Sequence, residues 1–300
     1  TEPVTIDDTI ETPIQIDGIL HRAISDGVCY LTRGGLNRLK KNPSDCSFAV
    51  NATYKTGAKL DSAVYDPVSG KLTVNASLGE SKQTETITIL QTADSSLVVD
   101  TATYESKAVA YEDADEAAEN HHIMLAGSSS MEFWTNYQNA LDPIVAYNHG
   151  IGGTTSAQWR DSLIERLVVP YCPKAVVYYV GVNDIINNGK TAEETIVSTK
   201  EVLEKTHERL PNTHVFYVLI NVLPGYYLPY EDSIRTVGAA MNEYAANLSW
   251  LDNIDAGAAL MKKNGAADKA YFRLDNLHMS EYGYVLWGEK IKEALMEYLG

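Results

Sequence analysis

The distribution of apolar positions changes character partway along the chain. Up to about residue 110 the apolar residues come in short β-branched runs, several alternating with polar neighbours, at 48–54, 71–75, 85–90 and 97–100. A period of two marks a strand with one face on a core. Turn formers punctuate these runs: Asp66-Pro67-Val68-Ser69-Gly70 predicts a hairpin turn, and Ala93-Asp94-Ser95-Ser96 another. Strands at this spacing predict an all-β sandwich or jelly roll over residues 1–111. An acidic, alanine-rich stretch at 112–120 follows and reads as a linker or a short exposed helix.

From residue 121 to 300 the pattern is different. His122-Ile123-Met124-Leu125-Ala126 is a continuous apolar run, as a strand buried on both faces requires. Runs at 144–148, 175–180, 215–221 and 250–254 repeat it. Helical periods separate them. Trp159, Leu163 and Leu167 recur at i, i+4 and i+8, and Thr191 with Glu194 has the form of a capping box. That box opens a helix carrying Ile196, Leu203 and Leu210 as far as Pro211, and Tyr284, Trp287, Ile291, Leu295 and Tyr298 form the last stripe. Five strands separated by helices predict a parallel sheet in a three-layer α/β/α domain.

Composition narrows the functional classes. Apolar content of 45% and charged content of 21% suit a globular protein. No apolar run approaches the ~18 residues of a membrane span. The net charge of −16 divides into about −4 before Tyr111 and about −12 after it. Such a surface repels phosphate backbones and anionic lipid heads, which disfavours nucleic-acid and membrane partners and suits an uncharged substrate. The three cysteines lack metal-ligand spacing. Cys29 and Cys46 flank a turn-rich segment, where pairing in an oxidising compartment stays open, and Cys172 reads as a buried thiol.

The candidate chemistry gathers at predicted strand ends. Gly127-Ser128-Ser129-Ser130 follows the first apolar strand, Asn148-His149-Gly150-Ile151-Gly152-Gly153 the second and Gly181-Val182-Asn183-Asp184 the third. Asp275-Asn276-Leu277-His278 precedes the last helix. The C-terminal ends of parallel strands converge on one crevice, so these segments can meet. Together they hold a serine, a histidine, a carboxylate and several amide donors, the parts required for acyl transfer. Among the histidines, His278 has a carboxylate three positions before it, within reach of its Nδ1.

In order and spacing these four segments resemble the four blocks of the SGNH (GDSL-like) esterase superfamily, with Ser128 where the family more often has Asp, and Trp134 a few residues on. The resemblance covers residues 121–300 and implies an SGNH-hydrolase (flavodoxin-like) domain. It implies Ser129 as nucleophile, His278 as general base and Asp275 as its orienting carboxylate. It assigns the oxyanion hole to the amides of Ser129 and Gly153 and the side chain of Asn183, with no metal and no cofactor. Asp184 is expected to order its own loop. Trp134, His149, Tyr226 and Tyr227 are candidates for substrate contact, although aromatic residues pack in cores as readily as they stack on sugars. The two-domain layout is similar to secreted bacterial carbohydrate esterases. The expectation is therefore a secreted or cell-surface enzyme removing short acyl groups, acetyl first, from a glycan. Lysophospholipase, thioesterase or aryl-esterase activity is the alternative within the superfamily. A glycan-binding surface protein with a degenerate hydrolase domain is the alternative outside it.

Overall fold

A computed structural model describes residues 14–16, 19–21, 23–25, 28–31, 48–50, 59–66, 68–91, 97–114, 122–171 and 173–300. Cys46, Cys172, the predicted turn at 93–96 and residues 115–120 of the acidic stretch lie outside them. The chain divides into two compact units. One comprises 1–97, 109–121 and 165–172, and the other 98–108, 122–164 and 173–300.

In the first unit β1 (Ile14–Ile16) pairs with β2 (Ile19–His21) and β5 (Phe48–Val50), all antiparallel. A second sheet has the order β3-β4-β8-β7-β6, from β3 (Ala23–Ser25), β4 (Val28–Leu31), β6 (Lys59–Asp66), β7 (Lys71–Leu78) and β8 (Ser81–Gln91). The predicted turn at 66–70 is present as the β6–β7 hairpin. Asp66 accepts from the Val68 amide at 2.9 Å and the Ser69 hydroxyl at 2.6 Å, and these bonds hold its carboxyl below the ordinary carboxylate value. One pairing departs from the antiparallel expectation, since β4 runs parallel to β8.

Two short-range expectations are corrected. Residues 97–100 are irregular rather than a strand, and α1 (Ala102–Ala114) follows directly where the alternating pattern was extended to about 110. The helix opens at Thr101, whose carbonyl accepts from the Glu105 amide at 2.9 Å, while Glu105 reaches back to the Val99 amide at 2.9 Å. Near its C-terminal end Glu112 is buried and forms a two-pronged ion pair with Arg166, both contacts at 2.8 Å. A fork-to-fork pair satisfies both buried charges at once.

The second unit carries the predicted parallel sheet. Its strands are β9 (Ile123–Gly127), β10 (Ala146–Asn148), β11 (Ala175–Tyr179), β12 (His214–Val218) and β13 (Leu251–Ile254), in the order β10-β9-β11-β12-β13. Every pairing is parallel. This doubly wound arrangement puts the switch in strand order between β9 and the strands on either side, which is where such folds bind ligands. The two central strands β9 and β11 are buried along their whole length, as their unbroken apolar runs require.

The helices that cover the sheet follow the predicted stripes in part. The capping box of Thr191 and Glu194 opens α3 (Ala192–Arg209), after the short α2 (Ser129–Glu132). The buried face of α3 is built mainly from Thr195, Ser198, Thr199, Val202, Leu203 and Thr206, with Ile196 only half-buried. The hydroxyls of Thr195, Ser198 and Thr206 donate to the backbone carbonyls four residues back. Thr206, for example, donates to Val202 at 2.8 Å and lies 2.9 Å from the Tyr178 hydroxyl. The last helix, α4 (Glu281–Leu299), buries Tyr284, Trp287, Ile291 and Leu295.

Candidate active site

The nucleophile segment begins where β9 stops. Gly127 adopts φ 141°, and a Cβ there would lie 2.2 Å from the Tyr179 carbonyl oxygen, so only glycine lets β9 and β11 approach this closely. Ser128 continues extended, its amide donating to Tyr179 at 3.1 Å, and α2 then starts at Ser129. Met131 and Glu132 close the first turn onto the Ser128 carbonyl. The amide of Ser129 belongs to the first turn, which has no intrahelical acceptor for it.

The histidine segment is a hairpin in miniature. Phe272 and Met279 bridge antiparallel, and Arg273 donates its amide to the His278 carbonyl at 2.7 Å. Asn276 makes the reversal in the left-handed region, at φ 59°. Asp275 Oδ1 accepts from the amides of Leu277 and His278, both at 2.9 Å, and Oδ2 lies 2.8 Å from His278 Nδ1. Burial works to raise the Asp275 pKa, but the bonds from the His278 ring and from the two amides outweigh it and hold this carboxyl below its ordinary value. With Nδ1 protonated toward Asp275, Nε2 is left to accept from the Ser129 hydroxyl, 2.9 Å away. Phe133 packs edge-on against the imidazole at 4.8 Å, and the Arg273 guanidinium lies over the Phe133 ring, 5.2 Å from its centre.

The second loop is tied to the first. Asn148 donates to the Met131 carbonyl at 2.7 Å, Gly150 donates back to Asn148 at 2.9 Å, and Ile151 donates to the Gly127 carbonyl at 2.9 Å. Gly152 donates to Glu132 Oε2 at 2.6 Å. A Cβ at Gly152 would lie 3.3 Å from Ser129 Cβ, so this loop lies directly beside the nucleophile. Gly153 has φ 88°, a conformation side chains rarely adopt.

Asn183 enters from the third loop, after Gly181 at φ 99°. Its Nδ2 donates to the Thr154 carbonyl at 2.9 Å, while its Oδ1 accepts from Asn187 Nδ2 at 2.9 Å. These bonds fix which end of the amide faces the 153–154 loop. Asp184 does more than order its own loop. It accepts from the Ser156 amide at 2.9 Å and pairs with Lys190 at 2.7 Å, joining the second and third loops.

Ser129, His278 and Asp275 are therefore in direct contact, Gly153 follows the Gly152 that lies beside Ser129, and Asn183 is bonded to the next residue of that loop, Thr154. The further candidates divide. Trp134 is 1% exposed, stacked on Tyr284 and edge-on to Trp287, and a Cβ on Gly288 would come within 2.7 Å of its ring. Most of its surface is thus given to packing, with one edge on the cavity described below. His149 is buried as well. Tyr226 is 83% exposed and Tyr227 half-buried, on a loop whose Gly225 abuts the Asn276 side chain beside the histidine hairpin. A cavity of about 630 Å³ opens next to Phe133, walled by Trp134, Asn136, Arg273, Tyr282 and Tyr284. Glu132, Phe133 and Arg273 did not stand out in the sequence. Only Phe133, an aromatic beside the Trp134 already singled out, carried any signal. No three His, Cys, Asp or Glu side chains among the described residues cluster as a metal site would require.

Comparison with known proteins gives the same reading of the second unit. The platelet-activating factor acetylhydrolase IB subunit alpha1 of Homo sapiens is 27% identical over 180 residues, covering 57% of this chain and 74% of that protein. The alpha2 subunit of Rattus norvegicus is 26% identical over 191 residues, covering 59% and 77%. Among solved structures, a GDSL-like lipase from Bacteroides thetaiotaomicron superposes with a TM-score of 0.53 at 21% identity, over 66% of this chain and 98% of that one. The model of the GDSL-like Lipase/Acylhydrolase family matches residues 124–286, a span of more than half the chain that contains all four site segments. The chain belongs to the GDSL-like Lipase/Acylhydrolase family and is an ester hydrolase.

Proposed function

We propose that the chain is a serine esterase that removes short acyl groups, acetyl first, by way of an acyl-enzyme. The observation that carries this reading is the continuous line Asp275–His278–Ser129, with both of its hydrogen bonds under 3 Å. In the first half-reaction Ser129 Oγ attacks the ester carbonyl while His278 Nε2 takes its proton. Asp275 holds the ring in the required tautomer and stabilises the imidazolium. The carbonyl oxygen becomes an oxyanion facing the amides of Ser129 and Gly153 and the side-chain amide of Asn183. Fixed donors of this kind are each worth about 10²–10³ in rate. His278 returns the proton to the departing alkoxide, the alcohol leaves and the acyl-enzyme remains. Water then attacks with His278 again as base, releasing the acid and restoring Ser129.

The alcohol side is read as a carbohydrate. Tyr226 offers an exposed aromatic face beside the histidine hairpin, and the cavity by Phe133 combines aromatic walls with Asn136 and Arg273, a mixture suited to sugar rings. A second reading is an acetylated lipid, favoured by the relatives named platelet-activating factor acetylhydrolase. For both, secretion stays part of the proposal.

Two measurements test the reading. On a p-nitrophenyl series from acetate to dodecanoate, kcat/KM should be highest for acetate, and octanoate or longer esters outperforming it would overturn the short-acyl assignment. Acetate release from acetylated oligosaccharides is then compared with release from an acetyl glycerophospholipid. Faster release from the lipid would replace the carbohydrate reading with the second one.

A further inference from the structure

The loop that carries the Gly153 amide is held by a carboxylate. Glu132 Oε2 accepts the Gly152 N–H at 2.6 Å, and the next amide along the chain is that of Gly153. Glu132 and Ser129 both lie against Gly152, since a Cβ there would lie 2.4 Å from Glu132 Oε2 and 3.3 Å from Ser129 Cβ. As a clamp this is effective, because a charged acceptor holds an amide more firmly than a neutral one. As electrostatics it is adverse. It puts a formal negative charge one peptide from where the acyl oxygen must acquire its own, in a partly buried site where like charges repel far more than in water.

The other carboxylate oxygen, Oε1, is taken by Lys107 Nζ. Lys107 lies on α1, outside the segment that matches the family, and one turn before it on the same helix face stands Tyr104. The Tyr104 hydroxyl presses on Gly153, where a Cβ would come within 2.3 Å of it. The stretch 98–108 is anchored on the far side of the loop as well, where Asp100 accepts from Gln158 Nε2 at 3.1 Å and Gln158 Oε1 caps the Thr155 amide at 2.7 Å.

We infer that Lys107 and Glu132 are a charge-balanced positioning pair for the oxyanion hole: Glu132 orients the Gly152–Gly153 amides, and Lys107 cancels the charge that would otherwise oppose the oxyanion. The inference rests on the esterase reading above. It gives the α1 segment, which precedes the matched family region, a part in the chemistry. Neither residue touches the reacting atoms.

The test is a double-mutant cycle of Lys107→Met and Glu132→Gln, read as kcat and KM on p-nitrophenyl acetate, with thermal unfolding as a check on folding. Lys107→Met should lower kcat by roughly 10- to 100-fold with KM little changed, because an unbalanced Glu132 opposes the transition state and hardly affects the neutral ester. Added salt should narrow that deficit, since both side chains are partly exposed. Glu132→Gln keeps a carbonyl acceptor for Gly152 and removes the charge. Alone it should raise kcat, roughly threefold, and combined with Lys107→Met it should recover most of the lost rate. If the ion pair only docks α1, Glu132→Gln will be as harmful as Lys107→Met and the double variant no better, and that pattern overturns the inference. So does Lys107→Met with wild-type kcat. Should Lys107→Met fail to fold, Glu132→Gln still decides, because a kcat below wild type contradicts charge cancellation. A wild-type protein inactive on every ester would instead sink the esterase reading itself.

Discussion

The two halves of the site are built in opposite ways. Ser129 and Asn183 are almost wholly buried, and their positions depend mainly on residues far away in sequence, Tyr179 for the turn into α2 and Thr154 for the amide, with Asn187 adding one local bond. Asp275 and His278 sit on the surface, with side chains 46% and 19% exposed, and nearly every bond that shapes them comes from residues 272–279. The nucleophile half gains its geometry from the close-packed end of a sheet, where little can move without disturbing the core. The base half gains it from a local hairpin whose own carboxylate closes the turn and orients the ring. Precise geometry can therefore come from burial or from local hydrogen bonding, and the two respond differently to substitution.

The largest effects should come from the atoms that bond across the two halves. Ser129→Ala and His278→Ala should each lower kcat by roughly a millionfold, and the double variant should be no worse, since the residues act as a unit. Ser130→Ala and Ser128→Ala should keep most of the activity. The Ser128 hydroxyl is buried without a partner among the described residues, so its loss breaks no bond. Labelling by a fluorophosphonate at Ser128 or Ser130 would show that the two halves meet elsewhere.

Asp275→Ala should cost less, on the order of 10⁴-fold in kcat, because the base persists without its orientation. Its lowered pKa also has a sign. A carboxyl depressed below its ordinary value stabilises the hairpin above the unfolded pKa and loses that contribution as pH falls through the folded one. From pH 5 to 9 Asp275 stays ionised, so its own titration should leave no inflection in kcat/KM across that window. An inflection there that Asp275→Asn abolishes would mean that the hairpin is less self-contained than its bonds indicate.

Smaller again is the donor side. Asn183→Ala should lower kcat by about 10²–10³-fold with KM for acetate esters little changed. Asn187→Ala should cost roughly tenfold or less, since it removes the bond that fixes which end of the amide faces inward but leaves the donor itself. Equal losses in the two variants would place the control of this half in the Asn183–Asn187 bond rather than in burial.

The same contrast explains what could be read from the sequence. Asp275 and His278 were legible because their relation is one of spacing, three residues apart before a helix. Strands β9, β11 and β12 were legible because burial on both faces leaves an unbroken apolar run, whereas the edge strand β13 turns Asp252 outward. Trp134 was not, because its burial depends on Gly288 and Trp287, more than 150 positions on, leaving room for its ring. Helix α1 has no clear apolar stripe, so nothing in its period set it apart from the alternating segment before it. Lys107 and Glu132 read as ordinary charged residues until the fold places them on either side of one hydrogen-bonding network. The buried face of α3 was obscured because hydroxyl residues form most of it, and they count as polar in any pattern.

The glycine that ends β9 governs the timing of the site as much as its shape. The Ser128 amide beside it is a rung to Tyr179, and its own carbonyl is a rung from Ile151. Those amides exchange with solvent only when the central sheet opens, whereas the amides of Leu277 and His278, tied to Asp275 alone, are released by the fraying of one hairpin. An incoming ester should thus meet a nucleophile that opens only with the core and a base that opens with a surface turn.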